Sequence, residues 1–159
     1  MIVTPAELEA IKRQALAECP HEACGVILRR GNERSLVPCR NVQNELHARD
    51  PARHPRDART AYYIDPADLL RIGRLEGAGF SVAVIYHSHV DAGAYFSDTD
   101  RGQALIGGEP TYPDVTYVVA SVVSGRVEAV AAFHWSSARR DFLPVELSIL
   151  ETSGKECRP

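Results

Sequence analysis

Two histidines and an aspartate carry the most chemical information in this sequence. His87 and His89 flank Ser88, and Asp100 follows eleven residues after His89. On a β-strand, side chains two apart share a face, so both imidazoles would leave the strand toward one site. Two neutral imidazoles, one carboxylate and an open fourth position make a plausible catalytic zinc site. Structural zinc sites instead close with four protein ligands, often cysteines. A His-x-His pair alone is common and more often has no metal. Context favours the metal here, because Ser97-Asp98-Thr99-Asp100 reads as the cap and first turn of a helix that would return Asp100 to the strand end. Of the nearby carboxylates, Asp91 has no place in this pattern and Asp98 would point elsewhere on the helix. His21, His47, His54 and His134 read as surface or locally satisfied imidazoles.

These side chains need elements to hold them. The run 80–86 (FSVAVIY) is almost wholly apolar, as expected of a central strand covered on both faces, and it delivers the chain to His87. Upstream, Thr4 and Glu7 form a capping box with Pro5 at the first helical position, predicting an amphipathic helix that ends before Pro20. Residues 23–28 and 35–39, joined at Gly31-Asn32, predict a hairpin whose second strand lies at an edge because of Pro38. Residues 41–59 read as a long polar loop and 60–64 as a strand. Asp65 caps a second helix carrying Leu69, Leu70, Ile72 and Leu75. The helix that starts at Ser97 is expected to carry Ala104, Leu105 and Ile106. Residues 115–123 and 126–134 form a second hairpin around Ser124-Gly125, and 141–150 one more strand. The expectation is one mixed α/β domain over residues 1–150 and a polar tail over 151–159.

Composition excludes several classes. The 159 residues are 45% hydrophobic and 25% charged, an ordinary globular composition. The net charge is −3 with scattered basic residues, which argues against a nucleic-acid partner. No run approaches the ~20 apolar residues that span a bilayer, and the N-terminus lacks the pattern of a signal peptide. The four cysteines, 19, 24, 39 and 157, include no CxxC pair and read as reduced thiols in a cytoplasmic protein. Cys24, inside an apolar run, reads as a buried inert thiol rather than a nucleophile.

The order His87-x-His89, seven residues, Ser97, two residues, Asp100 resembles the metal motif of the JAMM (MPN+) metallopeptidases. The stretch Cys19-Pro20-His21-Glu22-Ala23-Cys24-Gly25 is similar to the segment that bears that family's upstream glutamate. Asn41, the Tyr-x-Ile-Asp-Pro run at 62–66, YHSH at 86–89 and the Tyr-Val-Val-Ala-Ser run at 117–121 extend the likeness to its short prokaryotic members, over roughly residues 4–147. Val90 and Phe96 depart from it, standing where prolines are usual, which implies an altered loop around a retained site.

The resemblance implies a cytidine-deaminase-like α/β fold, with a mixed central sheet flanked by helices. It further implies that His87, His89 and Asp100 bind Zn2+ with a water in the fourth position. Glu22 would be the general base and Ser97 the donor to the developing oxyanion. Without the resemblance, Glu22 would read as an exposed connector residue and Ser97 as a simple N-cap. The implied substrate is the C-terminal Gly-Gly tail of a small ubiquitin-like or sulfur-carrier protein. Loops 41–59 and 90–96 would form the groove walls. A non-catalytic scaffold of the same fold is the alternative, weakened because every metal-ligand position is kept.

Overall fold

The computed structural model describes residues 2–148. The capping box forms as expected: Glu7 N donates to Thr4 Oγ1 at 3.1 Å and Thr4 N to Glu7 Oε2 at 2.8 Å, opening helix α1 (Pro5–Glu18). The chain continues through β1 (Cys24–Arg30), β2 (Glu33–Cys39), α2 (Gln43–Arg49) and α3 (Pro66–Gly77). Then come β3 (Ser81–Val90), α4 (Asp98–Ala104), the short ribbon β4 (Leu105–Ile106) and β5 (Glu109–Pro110), β6 (Thr116–Val123), β7 (Arg126–Ser136) and β8 (Asp141–Val145). Six strands form one sheet in the order β2-β1-β3-β6-β7-β8. Only β3 and β6 run parallel; the other neighbours are antiparallel. Pro38 sits on edge strand β2, where its missing N–H leaves no gap in the ladder.

Strand alternation divides the core in two. On one face Ile27, Val84, Tyr86, Val118 and Val122 pack with Leu8, Ile11 and Ala15 of α1. On the other, Val26, Ile85, Tyr117, Val119 and Phe133 pack with Ile72, Phe96 and Ala104. The β3 period therefore places His87 and His89 on the face of Ile85, opposite α1. The side chain of Ser88 points the other way in this alternation and accepts from Ala23 N at 2.8 Å.

Four local expectations need correction. Residues 41–59 contain helix α2: Asn41 Oδ1 accepts from Gln43 N, supplying a turn the polar composition hides. Residues 60–64 form no strand and contribute a single bridge between Asn41 and Ile64. The helix from Ser97 stops at Ala104, and Leu105 and Ile106 turn into β4. Leu69 and Leu70 lie on the outer side of α3, Leu70 being 67% exposed, while Ile72 alone of that helix is fully buried. The last strand ends at Val145; residues 149–150 of its expected span, and the expected tail 151–159 with Cys157, lie outside the described residues. Among the described residues no helix is long and apolar enough to cross a membrane.

Candidate metal centre

Strand β3 ends beside β6, and His87 and His89 stand on its last turns of pleat, both buried. Helix α4 brings Asp100 to them. Asp100 Oδ1 lies 3.1 Å from His87 Nε2 and its Oδ2 lies 3.3 Å from His89 Nε2, while the two Nε2 atoms are 3.2 Å apart. Ligands held about 2.0–2.1 Å from a tetrahedral zinc stand roughly 3.3 Å apart, so the donor spacing fits such an ion. His89 Nδ1 donates to Gly93 O at 2.9 Å, which leaves Nε2 as the ring's lone-pair atom. Among the described residues His87 Nδ1 is buried without a partner, so the polar contacts of that ring run through Nε2. The trio can hold a metal ion.

Two aromatic rings hold the imidazoles. Tyr62 stacks on His87 at 4.7 Å between centroids, and Tyr95 meets His89 edge-on at 5.0 Å. Sequence reasoning noticed Tyr62 only as part of a run and gave Tyr95 no place. Phe96 proves to be an anchor. Its ring lies 4.6 Å from Phe142, 5.0 Å from Tyr117 and 5.6 Å from Phe133, fixing the loop one residue before Ser97. An aromatic thus holds by packing what a proline would hold by backbone restriction.

Ser97 is the N-cap of α4 and part of a capping box. Its Oγ accepts from Asp100 N at 3.1 Å and donates to Asp100 Oδ2 at 2.7 Å. Glu22 approaches from the turn between α1 and β1. Its backbone N donates to Ala58 O at 2.7 Å, and its backbone O accepts from Asn41 Nδ2 at 2.9 Å. The same Asn41 amide donates to Ala61 O at 3.1 Å, so one side chain ties Glu22 to the segment leading to Tyr62. Glu22 is only 4% exposed, with Oε2 unpartnered among the described residues. Asp98 projects into solvent and Asp91 is exposed, so neither joins the trio. His47 is satisfied by His54 O at 2.7 Å, and the side chain of His21 reaches Asn44 at 3.4 Å.

Burial dominates the electrostatics. Desolvation pushes the Glu22 carboxyl up to about 8; Asp100 adds to the rise, and His89 and Arg56 oppose it. Desolvation acts on Asp100 too, but His87, His89 and Ser97 together hold it well below the usual carboxylate range. Desolvation would lower His89, yet its bonds to Asp100 and Gly93 leave it above the ordinary imidazole value. Cys24 is buried and burial raises its thiol far above the ordinary range, which removes it as a nucleophile.

Residues 4–145 match the family described as prokaryotic homologs of the JAB domain. The chain belongs to this family. It is 35% identical over 123 residues to the CysO-cysteine peptidase of Mycobacterium bovis, covering 76% of this chain and 73% of that protein. It is 32% identical over 96 residues to tail tip assembly protein K of Escherichia phage N15. That match covers 60% of this chain and 33% of the phage protein, so the chain spans about a third of that relative. A JAB1/MPN domain protein from Archaeoglobus fulgidus shares the fold with a TM-score of 0.53 at 14% identity, over 95% of this chain and 100% of that one. The protein is thus a short prokaryotic JAMM/MPN-type chain with a mixed central sheet flanked by helices.

Proposed function

We propose that this chain is a zinc-dependent metallopeptidase that hydrolyses the bond following a C-terminal Gly-Gly of a small ubiquitin-like or sulfur-carrier protein. The observation that carries the reading is the buried His87–His89–Asp100 trio, whose His89 lines the same cavity as Glu22, a buried carboxyl with Oε2 unpartnered among the described residues. The likeness to a CysO-cysteine peptidase supports the substrate class. Residues 1–150 would act as one domain. The free Cys19, Cys24 and Cys39 fit a reducing compartment, and we assign the activity to the cytoplasm.

His87, His89 and Asp100 would hold the metal through two Nε2 atoms and a carboxylate oxygen. Zinc bound there supplies a Lewis acid and lowers the pKa of water in its open position toward ~7. Glu22, in its carboxylate form, takes the proton of the attacking water. As the C–N bond breaks, Glu22 returns that proton to the leaving amine, and the water oxygen stays on the glycyl carbonyl. Ser97 Oγ–H, which donates to Asp100 Oδ2 at 2.7 Å, would turn toward the oxyanion as negative charge develops. Tyr62 and Tyr95 hold the imidazole planes, so little reorganisation accompanies the step.

The test is a β-grasp carrier extended by one cysteine after Gly-Gly, incubated with the zinc-loaded protein and followed by mass spectrometry. Loss of that single residue, abolished by phenanthroline, is the expected result. A zinc-loaded protein that leaves the carrier and its tail peptide intact overturns the reading.

A further inference from the structure

We propose that Arg56 binds the α-carboxylate of the residue being released, so that the site favours a single residue beyond the scissile bond over an internal or isopeptide bond. This rests on the peptidase reading above and specifies which end of the substrate is recognised.

Glu22 must hand a proton to the leaving amine, so the leaving residue lies on the Glu22 side of the centre. Ser97, as the oxyanion donor, would face the acyl carbonyl instead. The segment beside Glu22 is residues 56–59, since Glu22 N donates to Ala58 O at 2.7 Å. That segment is fastened to α2 as well: buried Gln43 donates from Nε2 to Arg56 O at 2.7 Å, and Ala58 N donates to Asn44 Oδ1 at 2.8 Å. Arg56 therefore stands on a fixed backbone at the edge of the leaving-group side.

Charge agrees with position. A cavity of about 280 Å³ is lined by Glu22, Arg56, Arg59, His89, Ser97 and Asp98, among others. Arg59 is already paired with Asp57 at 3.3 Å. Arg56, the other guanidinium lining this cavity, is exposed and has no carboxylate within ion-pair distance among the described residues. The Glu22 carboxyl feels its charge. Asp98, the exposed carboxylate in the cavity, follows Ser97 directly and would repel a second carboxylate on the acyl side. Among the described residues Arg56 is thus the unpaired guanidinium that a substrate carboxylate would meet in this cavity. A guanidinium offers that carboxylate a two-pronged, charge-assisted contact. An internal peptide bond presents no such group next to the reacting atoms, and neither does an isopeptide bond to a lysine side chain.

The test compares tail peptides ending in Gly-Gly-Cys as the free acid and as the C-terminal amide. With the zinc-loaded protein, the acid should be favoured roughly tenfold in kcat/KM, chiefly through KM, because the contact is exposed and of ordinary strength. The preference should shrink as ionic strength rises. Arg56→Ala should bring the acid-to-amide ratio close to one, and Arg56→Lys should restore part of it. Arg126→Ala, on the far hairpin, should keep the full ratio. On the Glu22→Gln background, where turnover is suppressed, the acid should bind more tightly than the amide by the same factor, and Arg56→Ala should erase the difference. Equal cleavage of acid and amide by the unaltered protein, or a preference surviving Arg56→Ala, overturns the clamp and leaves the peptidase reading standing. If neither peptide nor the carrier is cut, the peptidase reading itself falls, and the clamp with it.

Discussion

Glu22 has little access to water and, among the described residues, one oxygen without a hydrogen-bond partner, a costly state for a carboxylate. Its pKa of about 8 lies above the ordinary 4.5, so the fold favours the neutral acid. The stability this contributes is present in full below the ordinary value and is lost as pH rises through 8. In metal-free protein, Glu22→Gln should therefore gain melting temperature relative to the unaltered chain as pH goes from about 5 to 9. The amide cannot accept the water's proton, so turnover in the zinc-loaded variant should fall about 10²–10⁴-fold while zinc content holds. Loss of zinc from Glu22→Gln would make Glu22 a ligand instead. Elemental analysis should show the metal largely gone from His87→Ala and Asp100→Ala and retained in Asp98→Ala, whose side chain faces solvent.

At the scale of elements, the junction of α1, β1 and β3 sets where Glu22 stands relative to the histidines. Cys24 and His87 are partners in the β1–β3 ladder, so any shift of β1 moves Glu22 against the metal trio. Gly25 is the tight point. A Cβ there would overlap the Tyr86 phenol and come within 2.7 Å of the Val37 carbonyl oxygen, which is backbone and cannot step aside. The Tyr86 hydroxyl is itself held, donating to Gln14 Oε1 at 2.6 Å, while Gln14 Nε2 donates to Cys24 O at 3.0 Å. Gly25→Ala should therefore destabilise the fold by roughly 1–3 kcal/mol, seen as a lower denaturation midpoint. Gly102→Ala, in α4 with nothing within 4 Å of the added carbon, should instead raise it by up to about 1 kcal/mol through helix propensity. A midpoint for Gly25→Ala equal to the unaltered protein's would show that β1 and β3 can part without cost.

For the whole molecule, the sheet separates two cores, and the proposed metal would tie α4 to β3 on only one of them. A metal that binds the native state alone stabilises by mass action, about 2.7 kcal/mol at one hundred times its dissociation constant. Chelation should therefore lower the melting temperature by several degrees. The same chelator should leave Asp100→Ala unmoved. An equal drop in both proteins would place the stabilising metal elsewhere. A larger recess of about 590 Å³ lies at the opposite end of β3, among Arg29, Arg34, Glu76 and Asp114. Among the described residues, the only group close enough to share a metal is the His87–His89–Asp100 trio, so size does not mark the reacting end.

The caps, the hairpins, the edge position of Pro38 and the shared face of His87 and His89 were all determined by sequence, because each follows from interactions within a few residues. Capping boxes at Thr4 and Ser97 are three-residue devices, and strand alternation needs only neighbours. Helix α2 was hidden because its start depends on an asparagine side chain rather than on apolar periodicity. The ends of α4 and the outward turn of Leu69 and Leu70 were hidden because ribbon pairing and packing decide them. Tertiary structure alone decided the burial of Glu22, the stacking of Tyr62 on His87 and the anchoring of Phe96 among three distant aromatics. In each of those cases the partner lies far away in the chain, and desolvation, which sets the charge of Glu22, belongs to the surroundings and not to the residue.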